Sequence, residues 1–300
     1  MAFDAFALEG LRMDEPVFYL WQNAPAVIIG RNQSAYAEVN LPFLEAQGII
    51  LARRVTGGGA VYHDLGNLNY SIVGPTKSIE QHYGTVAVAL REMGIPAEQS
   101  GRNDILVEGR KCSGYAKRLS KDQMMIHGTL MWDVDLVQLT QALSVPGSKL
   151  ESKGIASVRS RVANLKGYLP QFGSINAFRS ALQDLLAGTD ERVALTQEEL
   201  DSIDRLARDK FSSWDWIYGQ SPQTAFWKTQ KFPCGTVEAH FTLKGGVFTA
   251  LAFSGDFIGQ HPAEELAGAL LGKRPEEMRN VDIGLYFDGL TAEELLSLFQ

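Results

Sequence analysis

Two cysteines, Cys112 and Cys234, stand far apart in a chain of 300 residues, too few and too distant to read as a disulfide framework. No apolar run is long enough to span a bilayer and no secretory leader is recognisable, so the expected setting is cytoplasmic, with no membrane partner. A basic excess is missing too. Lys and Arg number 28 against 35 Asp and Glu, a net charge of −7 that argues against nucleic acid as the partner while leaving room for a local basic site. Histidine, cysteine and acidic residues show no zinc-site spacing, and no internal repeat or low-complexity tract stands out. Neither of the usual nucleotide patterns occurs, because there is no G-x-x-x-x-G-K-[ST] and no G-x-G-x-x-G between a strand and a helix. What remains is an ordinary globular composition, 45% hydrophobic and 21% charged, with length for one large domain or one large and one small.

The periodicity predicts a helix over 4–13, with Phe3, Phe6, Leu8 and Leu11 marking a buried face, then strands over 17–21 and 26–30. Asn40 is placed to cap a helix through Gln47 that Gly48 ends, and strands follow over 49–54 and 60–73, the second bent near Gly66. A longer helix over 78–93 stops at Gly94. From Asp104 to Asp133 the pattern becomes meandering strands around a Glu108-Gly109 turn. Helices return over 135–143, 174–187 and 197–211. Beyond a turn-rich break near Ser221, strands over 236–243 and 247–254 read as a hairpin, with helices over 262–271 and 291–299. Runs of strands followed by runs of helices favour an α+β fold over strict βαβ alternation.

Three clusters carry the chemistry. In the first, Arg53-Arg54-Val55-Thr56-Gly57-Gly58-Gly59-Ala60-Val61-Tyr62-His63-Asp64, consecutive glycines let bare N–H groups approach a ligand, and flanking guanidinium groups call for an anion. A glycine hairpin with solvated arginines is the plainer alternative. The second runs through Ser100-Gly101-Arg102-Asn103-Asp104, Gly109 to Arg118, and His127-Gly128-Thr129. Strand alternation there puts Lys111 and Ser113 on one face and Cys112 on the other. An inward Lys111 would offset the repulsion between a carboxylate and the phosphate it attacks; otherwise it is a surface lysine after a turn. Asn103 and Asp104 read as a turn pair or as holders of a magnesium ion shared with nucleotide phosphates. His63 and His127 could act as bases or simply be hydrogen-bonded within a sheet. The third cluster, Lys149 to Val162, has Lys149, Lys153, Arg159 and Arg161 around Gly154, as a lid on polyphosphate would need; a basic loop touching RNA is the competing idea, weakened by the acidic whole and the absence of interleaved aromatics.

In this order and spacing the clusters resemble the lipoate-protein ligase family over nearly the whole chain. Arg53 to Asn67 is similar to its arginine and triple-glycine motif, Ser100 to Asp104 to its second motif, Gly109 to Gly114 to its lysine motif, and Lys149 to Asn164 to its adenylate-binding loop. The resemblance implies a large mixed-sheet catalytic domain of the biotin/lipoate-ligase type over 1–221 and a small α/β accessory domain over 222–300. It implies an ATP-dependent, AMP-forming ligase that uses lipoate and Mg2+-ATP. The acyl acceptors would be lysines of apo lipoyl domains in 2-oxoacid dehydrogenase acyltransferase subunits and of the glycine-cleavage H protein. Carried over by position, Lys111 would touch both carboxylate and phosphate, and would be the catalytic residue. Arg54, Thr56, Asn103, Asp104 and the Gly59-Ala60-Val61-Tyr62 backbone would hold ATP, with Asp104 at the metal. Arg53, Gly58, His63, Gly114 and His127 would face lipoate, and Arg118 would lie further out. Lys149, Lys153, Gly154, Ser157, Val158 and Arg159 would form the adenylate-binding loop. Trp21, Val61 and Tyr70 are the candidates for an apolar acyl slot. Two departures from the family pattern stand out, Ala5 in place of an asparagine and Cys112 beside the lysine.

The rival activities are an octanoyl or lipoyl transferase working through a cysteine thioester and a non-catalytic lipoyl-adenylate-binding module. No cysteine stands in the Ser100 to Asp104 segment where such transferases place their nucleophile, and Cys112 would serve only from the face opposite Lys111. Biotin ligation is set aside because its Gly-Arg-rich motif followed by tryptophan is missing.

Overall fold

A computed structural model describes residues 1–31, 33, 35–100, 103–143, 161–187, 192–219 and 224–299. Six strands form the main sheet, in the order β1 (Val17–Trp21), β5 (Asn67–Pro75), β9 (Gln123–Met131), β8 (Arg110–Ser120), β7 (Asp104–Val107) and β6 (Ala97–Ser100). Every pairing in it is antiparallel. A second sheet orders β3 (Ile50–Arg53), β2 (Ala26–Ile29) and β4 (Val61–His63), with β2 and β3 parallel and β4 antiparallel. The expected mixed large sheet is thus resolved into an antiparallel sheet and a small mixed one. The parallel pair needs a crossover, and the helices Ala35–Glu38 and Leu41–Gln47 between β2 and β3 supply it.

Side-chain alternation gives the main sheet two unlike faces. On one, Leu68, Tyr70 and Ile72 of β5 and Ile126 and Leu130 of β9 pack against helices Thr85–Glu92 and Ile175–Ala187 through Leu90, Phe178 and Leu182. On the other, β5 presents Asn67, Asn69 and Ser71 and β9 presents His127, polar residues that are nonetheless buried. Polar groups there are buried because the second sheet and the first helix, Ala2–Glu9, cover them, and the cleft opens on this face.

Local signals explain several elements. Asn40 Oδ1 accepts from the Phe43 amide at 3.2 Å, and Gly48 ends that helix at φ 63°. The β7–β8 hairpin turns on Glu108 and Gly109, at φ 52° and 74°, the two positive angles that a tight two-residue hairpin requires. The first helix ends at Glu9 rather than Met13, because Gly10 caps it. The predicted 78–93 helix is broken into Thr76–Ile79, a 3-10 turn at Glu80–His82 and Thr85–Glu92, with Gly84 at the junction. The predicted 60–73 strand divides into β4 and β5 because Gly66 is pressed against the Asp133 carbonyl, which a Cβ would meet at 2.1 Å.

Toward the C-terminus β10 (Thr224–Phe232), β11 (Gly235–Lys244) and β12 (Val247–Gly255) form a third sheet. Helices Ala263–Leu270 and Ala292–Leu296 close a separate core around Phe241, Phe248, Phe287 and Phe299. Tyr36 from the β2–β3 crossover joins that core, and its hydroxyl donates to Glu276 Oε1 at 3.0 Å. β6 and β10 are not among the strands expected from the sequence. β6 is a short edge strand with two exposed central residues, and too few positions to show alternation. Among the described residues no helix is long and apolar enough to cross a membrane.

Candidate active site

Between the polar face of the main sheet and the β2–β4 edge lies a cleft with about 640 Å³ of empty space, part of it open to solvent. Arg54, Lys111, His127 and the Gly58–Val61 segment all face it, as do Trp21, His63 and Asn69.

Arg54 shapes the glycine turn. Its guanidinium donates to the Gly57 carbonyl at 2.7 Å, the Gly59 carbonyl at 2.8 Å and the Ile28 carbonyl at 3.0 Å, and its Nε donates to Thr56 Oγ1 at 3.0 Å. Burial lowers its pKa to about 10, so it stays charged near neutrality. Gly58 sits at φ 92°, and Gly30 must be a glycine as well, because a Cβ there would meet the Gly58 carbonyl at 2.1 Å. With two carbonyls held by the arginine, the Gly57, Gly58 and Gly59 amides find no acceptor among the described residues. Free amides beside a buried cation make an anion nest.

Lys111 reaches the same cleft from β8. The β7–β8 register pairs Ile105 with Ser113 but Leu106 with Lys111, so Cys112 is the extra residue of a β-bulge. The bulge aims Lys111 and Gly114 at the cleft and turns Ser113 inward, which corrects the expectation that Lys111 and Ser113 share a face. Lys111 Nζ lies 2.7 Å from Asp104 Oδ1. Its end passes over Gly114, where a Cβ would stand 2.8 Å from both Cε and Nζ. Asn103 is tied to the same strand, its Nδ2 donating to the Tyr115 carbonyl at 2.6 Å. The chain returning after residue 160 also seats here, with the Ala163 amide donating to the Lys111 carbonyl at 2.9 Å. Among the described residues no group of three His, Cys, Asp or Glu side chains could hold a metal, so Asp104 offers a single carboxylate.

The far end of the cleft is lined by Trp21, His63 and Asn69, with the Trp21 and His63 rings edge-to-face at 6.0 Å. Burial, helped by the Arg54 charge, pushes the His63 pKa down to about 3, so the ring is neutral. Asn23 Nδ2 approaches His63 Nδ1 at 3.0 Å, which leaves Nε2 as the N–H. His63 Nε2 and Asn69 Nδ2 are buried with no partner among the described residues.

Several expectations change. Arg53, expected to face lipoate, does not reach the cleft: it is fully buried, and its guanidinium donates to the carbonyls of Gly30, Arg31, Gln33, Trp216 and Ile217 at 2.6–3.0 Å. Two consecutive strand-end arginines point opposite ways, so only Arg54 enters the cleft. The Thr56 hydroxyl is taken by Arg54 and His127 and does not line the cleft. Tyr62 packs with Val27 and Ile29 in the core of the second sheet and does not line the cleft. Tyr70 belongs to the core face of β5, behind Gly128, and is no part of an acyl slot. Arg118 bridges the Val55 carbonyl and Glu9, both at 2.8 Å, outside the cleft. Ala60, Val61, Gly58, Gly59, Gly114 and His127 do line it. Lys149, Lys153, Gly154, Ser157, Val158 and Arg159 lie outside the described residues, as do Gly101, Arg102 and Ser221.

Sequence reasoning missed Asn69 and Asp4. Asp4 is 2% exposed and bonds His127 Nδ1 at 2.9 Å and Ser71 Oγ at 3.0 Å. An acid in the first turn of a helix ordinarily reads as a solvated charge, and nothing local marks this one as buried.

Comparison with known proteins agrees with the geometry. Residues 1–187 match the lipoyl protein ligase A/B catalytic domain, and residues 221–299 match the bacterial lipoate protein ligase C-terminus. The lipoate-protein ligase LplJ of Bacillus subtilis is 35% identical over 99% of this chain and 95% of its own length. A bi-partite lipoate protein ligase of Thermoplasma acidophilum, studied with its E2 lipoyl domain, superposes with a TM-score of 0.67 and 32% identity, covering 74% of this chain and 92% of that one. A lipoate-protein ligase A solved with ATP gives 0.64 and 31%, over 73% of this chain and 92% of that one. The chain belongs to the lipoate-protein ligase family.

Proposed function

We propose that this enzyme activates lipoate with ATP and transfers the lipoyl group to a lysine of apo lipoyl domains. One observation carries the reading: the Lys111 ammonium group and the glycine nest clamped by Arg54 line one cleft. In the first step a lipoate carboxylate oxygen attacks the α-phosphorus and the bond to pyrophosphate breaks, giving lipoyl-AMP. In the second a carrier lysine amine attacks the acyl carbonyl carbon, AMP leaves, and the amine's proton passes to solvent.

The chain's part is placement and charge. Lys111 exchanges Asp104 for the incoming carboxylate and α-phosphate, so that two anions meet across one cation. The nest amides and Arg54 receive the remaining phosphate charge. Magnesium would arrive on the nucleotide's phosphates, with Asp104 and Asn103 as the nearby protein oxygens, in keeping with a metal that takes few protein ligands. At the far end, Trp21 and Val61 would flank the acyl chain, and the unpaired donors of His63 and Asn69 would meet the dithiolane sulfurs, which are weak acceptors. Residues 1–221 would be the catalytic domain and 222–300 the accessory domain, a division favoured by the separate C-terminal core. The carriers would include acyltransferase subunits of 2-oxoacid dehydrogenases and the glycine-cleavage H protein, in the cytoplasm.

The thioester route is disfavoured by Cys112. Its side chain is fully buried in the core, donates to the Ile105 carbonyl at 3.4 Å, and has its pKa pushed up to about 12 by burial. The test supplies purified protein with lipoate, Mg-ATP and an apo lipoyl domain, then follows pyrophosphate and carrier mass. ATP-dependent pyrophosphate release and a carrier heavier by one lipoyl group are expected. Transfer from an octanoyl carrier protein without ATP, or adenylate binding with no turnover, would contradict the proposal.

A further inference from the structure

Beneath the nest, the side chains of Asp4, His127, Thr56 and Arg54 form one unbroken hydrogen-bonded line. Arg54 Nε donates to Thr56 Oγ1 at 3.0 Å, Thr56 Oγ1 and His127 Nε2 are 2.6 Å apart, and His127 Nδ1 and Asp4 Oδ2 are 2.9 Å apart. None of the four is more than 6% exposed. Asp4 Oδ1 also accepts from the Tyr19 and Ser71 hydroxyls.

With the His127 ring neutral, the protons in this line have one consistent arrangement. Arg54 Nε is always a donor, so Thr56 accepts there and must give its own proton to the remaining neighbour, His127 Nε2. The ring then carries its proton on Nδ1 and donates to Asp4. Asp4 is suited to that end. Burial alone would raise its pKa, but the side-chain hydrogen bonds from His127 and Tyr19 act against it, and the carboxyl stays below the ordinary carboxylate range. An acceptor-only carboxylate at one end and a donor-only guanidinium at the other fix every polarity between them. Here the fixed object is the arginine that clamps Gly57 and Gly59.

We propose that Asp4 is a positioning residue for adenylation, selecting the Nδ1–H tautomer of His127 so that Thr56 orients Arg54 and the glycine nest for nucleotide phosphates. This rests on the activity proposed above. Asp4 touches no substrate and acts only through its neighbours.

Asp4→Asn tests it with nearly unchanged shape. The amide oxygen must still accept from Tyr19 and Ser71, so its NH2 faces His127 Nδ1 and the ring takes the Nε2–H tautomer. Thr56 then meets two donors and its own proton has no acceptor. With five histidines in the chain, ring 15N NMR can be assigned to His127 by a His127→Gln control. The expected results are Nδ1–H in the native protein, Nε2–H in D4N, and an adenylation kcat on the order of 10–100-fold lower, as when a group that orients a ligating side chain is lost. KM for lipoate stays within about twofold, because the acyl end is untouched. Thr56→Ser keeps native behaviour, Thr56→Val loses activity like D4N, and the double variant is no worse than either single, since both break one line. An Nε2–H ring in the native protein, undiminished turnover in D4N, or additive losses would overturn the proposal. If D4N fails to fold, the native tautomer and the Thr56 pair still decide. A native protein with Nδ1–H but no pyrophosphate release would refute the activity and the role in adenylation with it, leaving only the tautomer assignment.

Discussion

Gly114→Ala separates placing Lys111 from folding around it. The added Cβ would stand 2.8 Å from Cε and Nζ of Lys111 and 3.4 Å from Asp104 Oδ1, whereas ordinary contact begins near 3.4 Å. The ammonium end must therefore retreat by at least about 0.6 Å, toward the 1 Å misplacement that commonly costs on the order of 10²-fold in rate. Stability should hardly change, because the atoms in the way are the far end of a flexible side chain and Gly114 needs no left-handed backbone. The assay is single-turnover pyrophosphate release with lipoate and Mg-ATP, beside a thermal melt. The expected outcome is a melt within a degree or two of native, adenylation slowed roughly 10–100-fold, and no further slowing when the substitution is made in Lys111→Ala. Native kcat in a folded Gly114→Ala would refute the role given to Lys111, and a lowered melting temperature would refute the view of Gly114 as clearance for a lysine.

Lys111→Ala should abolish adenylate formation with an unchanged melt, while Cys112→Ser keeps turnover; activity lost in the serine variant alone would reverse that assignment. Asn69→Leu removes an unpaired buried donor from the acyl end, so octanoate should gain on lipoate in kcat/KM by about 2–10-fold, the worth of roughly one hydrogen bond, in competition assays. Acid unfolding should also carry the signature of Asp4. Its folded pKa, about 2, lies below the ordinary 3.8, so its contribution is complete above the ordinary value and fades as pH falls through the folded one. Denaturant melts between pH 4 and 2 should show native stability falling more steeply than that of Asp4→Asn, by an amount of order 2 kcal/mol; parallel curves would contradict it.

The legible parts of the site were those spelled by residue type in a short stretch. Three glycines behind Arg54, and Lys111 two residues past a Glu108-Gly109 turn, announce themselves because their chemistry depends on local backbone. Helix ends at Asn40 and Gly48 were equally plain. Choices that tertiary packing makes were not. Which of Arg53 and Arg54 enters the cleft depends on where β3 ends against the 215–219 turn, whose carbonyls capture Arg53. Simple alternation failed at Ser113 because a bulge at Cys112 shifts the register. Tyr70 and Asn69 are neighbours on one strand, yet only the assembled sheet decides which of them lines the cleft. Asp4 takes its hydrogen-bond partners from β1, β5 and β9, all distant in sequence.

A crystal structure with a non-hydrolysable lipoyl-adenylate analogue is the most direct measurement. Lys111 Nζ should have left Asp104 and lie about 3 Å from both the acyl oxygen and an α-phosphate oxygen, with the phosphate against the Gly57–Gly59 amides. An analogue seated away from those amides, with Lys111 still on Asp104, would contradict the proposed chemistry.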